Sequence, residues 1–525
     1  CGLNGLYSLV PLFIIAIIIQ LVIAKKINLV EDARVKDIKP SFQQAILWLK
    51  KQETLLLVLF AAGIILALLF PGDSVWINDE PLLLEKAFVA KNAGHWATDG
   101  LTGTVGMTYG PQVVWFYQIL MLFSCNPVTL VFLKTVIILA ALLYACAKIS
   151  RLTGLKFIYA GIFLTLSPYI YFYNRMLWDN VMLIPLTALS LAFLIEFMAK
   201  KTWFSWFMAL AFSYICLYIH PMSLPWLAAL IPAALIYNHN YIRATYKRLL
   251  IVAGSIIIPV IPFVYRFITQ FAPSSDNKSS YAHAMESIIT SCMNLTFYGW
   301  FEYFLPEYQQ TYPEMAKIIK ICGTTGLVFV SLLLIFSICC LVRKAIKKQS
   351  LNVSEAAVLC CIAALVINAV MTLVLRRPPQ PHYNNAITIA AMFIVWWSII
   401  YLNKVKVLKY IVYILFISMF GLMINLVFYI HIYNGSRSMH YGATLSNQWE
   451  VAGIVSQSAR IYKGVKVNFT SVSNYLHFPH GLATLIKLHR PYEPKEMPRV
   501  PENARLTILH PNEYPSGKII VVKSQ

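Results

Sequence analysis

Charge is scarce in this sequence, and acidic charge is scarcer still. Only 12% of the 525 residues are charged, and 22 Asp and Glu stand against 43 Lys and Arg. That is too little charge to clothe a soluble chain of this length, so a soluble globular class is excluded. No internal repeat and no low-complexity tract is evident, which counts against transporters assembled from duplicated halves. A disulfide framework is missing too. Cys146, Cys216, Cys339, Cys340, Cys360 and Cys361 lie in or beside apolar runs, where a thiol behaves as a small hydrophobe. What the chain has in excess is apolar side chain: 59% of residues are hydrophobic, and the mean hydropathy is +0.65. This composition predicts a polytopic membrane protein.

A formal net charge of +21 would suit a nucleic-acid partner. Its distribution excludes one, because the Lys and Arg gather in short loops between apolar runs, as the positive-inside rule requires. Runs near 20 residues, the length that spans a core about 30 Å thick, number about twelve. They fall near 5–24, 54–70, 128–147, 156–172, 181–199, 204–219, 222–238, 249–268, 321–342, 355–375, 386–402 and 410–431. With the loop 71–127 outside, alternation puts Lys148, Arg151 and Lys156 inside, then Lys200 and Lys201, then Arg243, Lys247 and Arg248. Arg343, Lys344, Lys347, Lys348, Lys404, Lys406 and Lys409 follow on the same side, with no acid in these loops. The outside loops 71–127 and 269–319 are acidic on balance. The first run, Leu6–Ala24, has no basic residue before it and is too long for a signal h-region, so it reads as a retained span. Cys1 suits either a lipid-anchored mature N-terminus or a trimmed chain.

The stretch 71–127 is the most informative. Asp79 and Glu80 adjoin just beyond an apolar run. A carboxylate pair at a bilayer surface is costly to desolvate, so it needs a watery cleft or a cation. Two amphipathic segments follow, Pro81–Gly94 and Pro111–Phe123. Both are too short to cross, and they are expected to lie along the surface with Trp115, Phe116 and Tyr117 at the interface. The run 204–238 is broken at His220-Pro221 and Pro225, which predicts a helical hairpin whose tip faces outside. Past residue 432 the composition turns polar. A helix is expected near Asn447–Tyr462, and strands at Gly464–Val467, Ala504–Ile508 and Lys518–Val522. That is enough chain for a small α/β domain.

These motifs, in this order, resemble the GT-C superfamily of membrane glycosyltransferases, nearest the protein O-mannosyltransferases and the lipid A aminoarabinose transferases. The likeness spans roughly 54–402 and rests on NDEP with Asp79 and Glu80, on YGPQVVWFY opening at Tyr109, and on NRMLWDN with Arg175 and Asp179. It continues in LYIHPMSLP with His220, and in RRPPQPHYNNAITIAAM with Arg376, Arg377, His382 and Tyr383. MTYGP lacks the carboxylate that the lipid A type carries just before the second surface helix, a departure from that subgroup. The resemblance implies a polyprenyl-phosphate sugar donor, a glycan, lipid or protein acceptor, and Asp79 as general base.

Chemistry assigns the remaining roles. Expulsion of a phosphate needs cations or donors, which Arg175, Arg376, Arg377, His382 and Tyr383 are placed to supply. His220 and Tyr109 are candidate substrate contacts. Glu80 and Asp179 would orient the acceptor, and Asp79 with Asp179 are candidate ligands for a divalent cation, Mg or Mn. The bland readings stand beside these: a solvated helix cap for Asp79-Glu80, an i,i+4 surface pair for Arg175 and Asp179, snorkelling for the late arginines. The architecture predicted is an all-α polytopic membrane protein, GT-C-like, with a small C-terminal extracytoplasmic α/β domain. Residues 1–53 form an extra span and cytoplasmic linker, 54–431 the catalytic module, and 432–525 the outer domain. The site would face outside at a bacterial-type inner (cell) membrane, in contact with membrane lipid. A transporter or lipid flippase is the alternative.

Overall fold

The computed structural model describes residues 54–525 apart from 78, 104–105, 297–303, 375–379, 403–404, 437–439, 462–465, 471–477, 490–504, 510–519, 525 and most of 239–280. The expected spans 5–24 and 249–268 and the two residues Arg376 and Arg377 therefore lie outside the described residues or nearly so.

Helix is the dominant element. The described helices begin with α1 (Thr54–Leu68), α2 (Asp79–Asn92), α3 (Gln112–Leu120), α4 (Pro127–Thr153), α5 (Phe157–Leu166) and α6 (Pro168–Arg175). A 3-10 turn, Asn180–Met182, leads into α7 (Leu183–Lys200), which is followed by α8 (Trp203–Ile219), α9 (Leu224–Tyr237) and α10 (Tyr281–Met293). The later helices are α11 (Pro313–Ile346), α12 (Val353–Val374), α13 (Asn385–Leu402), α14 (Lys406–Tyr433), α15 (Leu445–Ile461) and α16 (Phe478–Leu488). Six segments among the described residues are long and apolar enough to cross a membrane: Pro127–Thr153, Asn180–Lys200, Pro313–Ile346, Val353–Leu373, Pro381–Leu402 and Val407–Tyr433. Four shorter apolar helices, 10–17 residues long, match the expected spans at 54–70, 156–172, 204–219 and 222–238. The chain is an integral membrane protein.

Local chemistry sets the helix ends. Asn126 caps α4 by accepting from Val128 N at 2.9 Å, with Pro127 at the first position. Gly154 ends that helix at φ 74°, a conformation glycine adopts without cost. The apolar run 156–172 is not one helix. Ser167 is extended and Pro168 starts a new helix, so α5 stops and α6 restarts at an angle. The hairpin at His220 is as expected: α8 ends at Ile219, and His220 caps the turn Pro221–Ser223 before α9.

The surface helices hold one correction. Tyr117 is fully buried, not interfacial. On a nine-residue helix the 3.6-residue period puts Val113, Val114, Tyr117 and Leu120 on one face, and that face is covered. Trp115 is half-buried and donates to Ala97 O at 2.7 Å. The side chains left in the open are Ile119, Leu122 and Phe123.

After α14 the chain turns back sharply. Asn434 is left-handed at φ 52° and Gly435 sits at φ 104°, bridging to Ala443. The returning strand lies on the segment after α1: Leu445 N donates to Ser74 O at 3.0 Å and Ser446 N to Gly72 O at 2.9 Å. Helix α15 packs on α16, and α16 packs on α2. A small sheet completes this domain, with β1 (Lys466–Thr470) parallel to β2 (Arg505–Leu509) and β2 antiparallel to β3 (Ile520–Ser524). The strands sit one to three residues later than expected, and α16 was not anticipated. Two cores result. One fills the helical bundle, and the second joins Trp76, Leu83, Val114, Tyr117, Leu130, Leu183, Leu445 and Leu482. The candidate site lies at the seam between them.

Candidate active site

Asp79 and Glu80 form the first turn of α2. Unpaired backbone N–H groups and the helix dipole favour carboxylates there. Glu80 is fully buried and Asp79 half-buried. Asp179, buried, caps the turn Asn180–Met182, and its Oδ1 accepts from Asn180 N at 2.7 Å. The three acids share one electrostatic group. Burial first, and then the neighbouring Asp79 charge, push Asp179 from 3.8 up to about 8, and Glu80 adds to the rise. Two acids one hundred positions apart in sequence thus meet at one end of the bundle. Neither the solvated-cap reading nor the exposed i,i+4 pair describes them.

Aromatic and imidazole rings continue the site. Trp178, next to Asp179, packs on His382 at 4.8 Å between ring centres. His382 meets Tyr383 at 4.4 Å, Tyr383 meets His220 at 6.1 Å, and His220 meets Tyr109 at 5.1 Å. His220 Nδ1 accepts from Met222 N at 3.2 Å, which puts its proton on Nε2 and makes that nitrogen a donor. Polar ties fix the two turns to each other. Asn385 Nδ2 donates to Asn180 O at 3.1 Å, and the Tyr169 hydroxyl donates to Asn385 Oδ1 and lies 3.1 Å from Pro381 O. Of the residues expected at the site, Asp79, Glu80 and Asp179 form one group, and Tyr109, His220, Tyr383 and His382 form a chain of rings that reaches Trp178, the neighbour of Asp179.

Arg175 is not among them. Its guanidinium donates to Leu69 O at 2.8 Å, to Phe70 O and to the Tyr171 hydroxyl. It is buried and faces Asp73 rather than Asp179. Arg175 is a clamp on the end of α1, where Phe70 is held at φ 51°, a strained conformation for an aromatic residue. His431 stacks on Phe70 at 3.7 Å and bonds Asp73 at 2.9 Å through Nδ1. Burial raises Asp73, against the pull of His431 and Arg175.

Three residues of the site's surroundings were missed in the sequence. Tyr117 lies in the field of Asp179 and Glu80, and burial pushes its phenol well up. Lys134 on α4 is fully buried near Glu80; a lysine inside the apolar run 128–147 was the available signal. His440, from the turn after α14, lies near His382, and burial lowers its pKa. Nothing in its local sequence marks His440. Among the described residues no group of three or more His, Cys, Asp or Glu is arranged to hold a metal ion.

The class so defined is a polytopic helical membrane protein with a buried acid group under a C-terminal cap. No family model matches the sequence, and no curated protein matches it. The chain is similar to the crystal structure of ArnT from Cupriavidus metallidurans bound to undecaprenyl phosphate, with a TM-score of 0.46 and 11% identity over 89% of this chain and 97% of that one. It is also similar to the apo state of the same protein, at a TM-score of 0.41 and 12% identity over the same shares.

Proposed function

We propose that the chain is a membrane glycosyltransferase that moves a sugar from a polyprenyl-phosphate-linked donor to an acceptor at the outer face of a bacterial-type cell membrane. The observation that carries this reading is the group of Asp79, Glu80 and Asp179, with the ring contacts of Tyr109, His220, Tyr383 and His382 running to Trp178, the neighbour of Asp179. The ordered outer-face motifs support the same reading. Polar side chains within the spans, such as Ser190 with Ser213 at 2.8 Å and Ser337 with Ser398 at 2.6 Å, bond to partners on neighbouring helices. They act as glue between helices, which does not favour a transport path.

A general base must touch the acceptor, and Asp79 is the one of the three acids that is not buried. Asp79 takes the acceptor proton as the acceptor atom bonds to the anomeric carbon. The bond from that carbon to the phosphate oxygen breaks, and the lipid phosphate leaves with the electron pair. Protonated Asp179 and the Nε2–H of His220 are donors to the reacting groups. Arg376 and Arg377 are proposed to hold the lipid phosphate. The mechanism routes no step through a cation. The test for Mg or Mn at Asp79 and Asp179 is chelation, where loss of transfer restored by added Mg would place a cation there.

The decisive experiment is sugar transfer from a radiolabelled polyprenyl-phosphate donor in membranes. Asp79→Asn is expected to lose about 10³-fold in rate while keeping wild-type abundance. Full activity in that variant would remove Asp79 as base. No donor turnover, alongside substrate counterflow in vesicles, would replace the enzyme with a transporter.

A further inference from the structure

Every residue from Pro168 to Val181 is buried except Trp178. A tryptophan that only fills the bundle is sealed and its N–H finds an acceptor, as Trp76, Trp226 and Trp396 do with Gly481 O, Ser190 Oγ and Lys156 O. The Trp178 Nε1–H has no hydrogen-bond partner among the described residues and is open to solvent. The hydroxyl of Tyr383, two rings further along the chain, is open in the same way. The indole is nonetheless held in place. Tyr173 lies at 25° to it with 6.4 Å between ring centres, and Tyr173 is itself buried against Tyr169 at 4.5 Å. His382 meets the indole at 4.8 Å and 61°. A fixed, part-exposed aromatic ring beside uncommitted donors suits a sugar. The C–H face of a pyranose is apolar and stacks on such a ring, while its hydroxyls take the polar groups around the rim.

Position in the site says which sugar. Asp179 is the next residue and caps the turn Asn180–Met182. On the other side of the indole, His382 and Tyr383 belong to the turn Pro381–Asn384, which follows Arg376 and Arg377. Those residues are the ones assigned above to the lipid phosphate. The donor sugar is bonded to that phosphate and receives the acceptor on the side of the acids, so it lies between the two groups. We propose that Trp178 is the platform for the donor sugar, a pyranose that stacks on the indole with Nε1–H and the Tyr383 hydroxyl at its rim. The proposal deepens the transferase reading and rests on it.

The test uses the full chain in detergent, titrated with polyprenyl phosphate either bare or carrying glucose, mannose or arabinose. Wild type should bind one of the sugar-bearing lipids about tenfold more tightly than the bare one. Trp178→Leu keeps an apolar side chain without the flat ring. It should lose that margin, with bare-lipid affinity and unfolding temperature near wild type. Trp178→Phe should keep the margin to within about threefold. In transfer, the Leu variant should raise donor KM about tenfold with little change in kcat, the signature of lost substrate binding. Equal weakening toward bare and sugar-bearing lipids would overturn the proposal, as would a Leu variant that keeps the margin or a wild type that has none. A wild type that transfers sugar beside an equally active Leu variant sinks the platform alone. A wild type that shows the margin but transfers no sugar sinks the transferase reading and leaves Trp178 a platform for a sugar-bearing lipid.

Discussion

Asp179 stores a pH dependence in one carboxyl. Its pKa is raised from 3.8 to about 8 by burial beside two other acids. A raised carboxyl stabilises the fold fully below 3.8, and that contribution is lost as pH climbs toward about 8. Asp179→Asn removes the group that must ionise. The variant should therefore gain on wild type in unfolding temperature as pH rises through this window, and match it in acid. Parallel melting curves in detergent across the range would rule this out. Arg175 makes the contrasting case. Arg175→Met leaves Leu69 O, Phe70 O and the strained Phe70 backbone without their donors. About 3 kcal/mol of stability should go with it. Denaturation of the purified variant reads that loss; a variant as stable as wild type would mean the clamp is idle.

Helix pairs carry the next set of effects. Gly63 marks the crossing of α1 and α5, where an added Cβ would run into the Thr165 side chain. Gly63→Val should cost about 1–3 kcal/mol by overpacking and lower the yield of folded protein in membranes. The cap is held mainly by its buried ties to the segment after α1. Trp76 donates to Gly481 O at 3.1 Å, and Gln448 donates to Trp76 O at 3.1 Å. Trp76→Phe should weaken docking by about 1 kcal/mol, read as faster proteolysis within α16. The Lys487–Glu85 ion pair joins the same helices, but Lys487 is half exposed. Glu85→Gln should move stability by less than about 1 kcal/mol. An equal protease effect from both substitutions would reverse that ranking.

Across the molecule, one end holds the acids, the hairpin tip at His220, the end of α14 and the C-terminal cap. The other end holds the basic loops, where Lys148 and Lys200 meet Glu196 at 2.6 and 3.1 Å, and Lys344 meets Glu355 at 2.7 Å. Single cysteines at Trp96 and at Gln349, in a background lacking the native ones, should be labelled by an impermeant maleimide from opposite sides. The charge rule predicts Trp96 as the outer position. Labelling of both from one side would overturn the orientation.

How much of this could be read in advance follows from the range of each interaction. Apolar runs, the break at His220-Pro221 and the shortness of the segment at 111–124 are set by neighbours a few residues apart, so the sequence displays them. The acids of the site could be named because carboxylates beside a bilayer are costly wherever they occur. Their meeting could only be expected through a resemblance, since nothing local joins Asp79 to Asp179. The split of one expected span into α5 and α6 has its local signal in Pro168, whereas the burial of Tyr117, the diversion of Arg175 to Leu69 and Phe70, and the entry of Lys134 and His440 were settled by packing. These depend on which helix face meets which neighbour, a contact between residues tens to hundreds of positions apart. The sequence by itself determined that the chain crosses a membrane, how its loops are charged and which residue types could do chemistry. Tertiary structure alone decided which charges are buried together, because burial is a property of the surroundings and not of the residue.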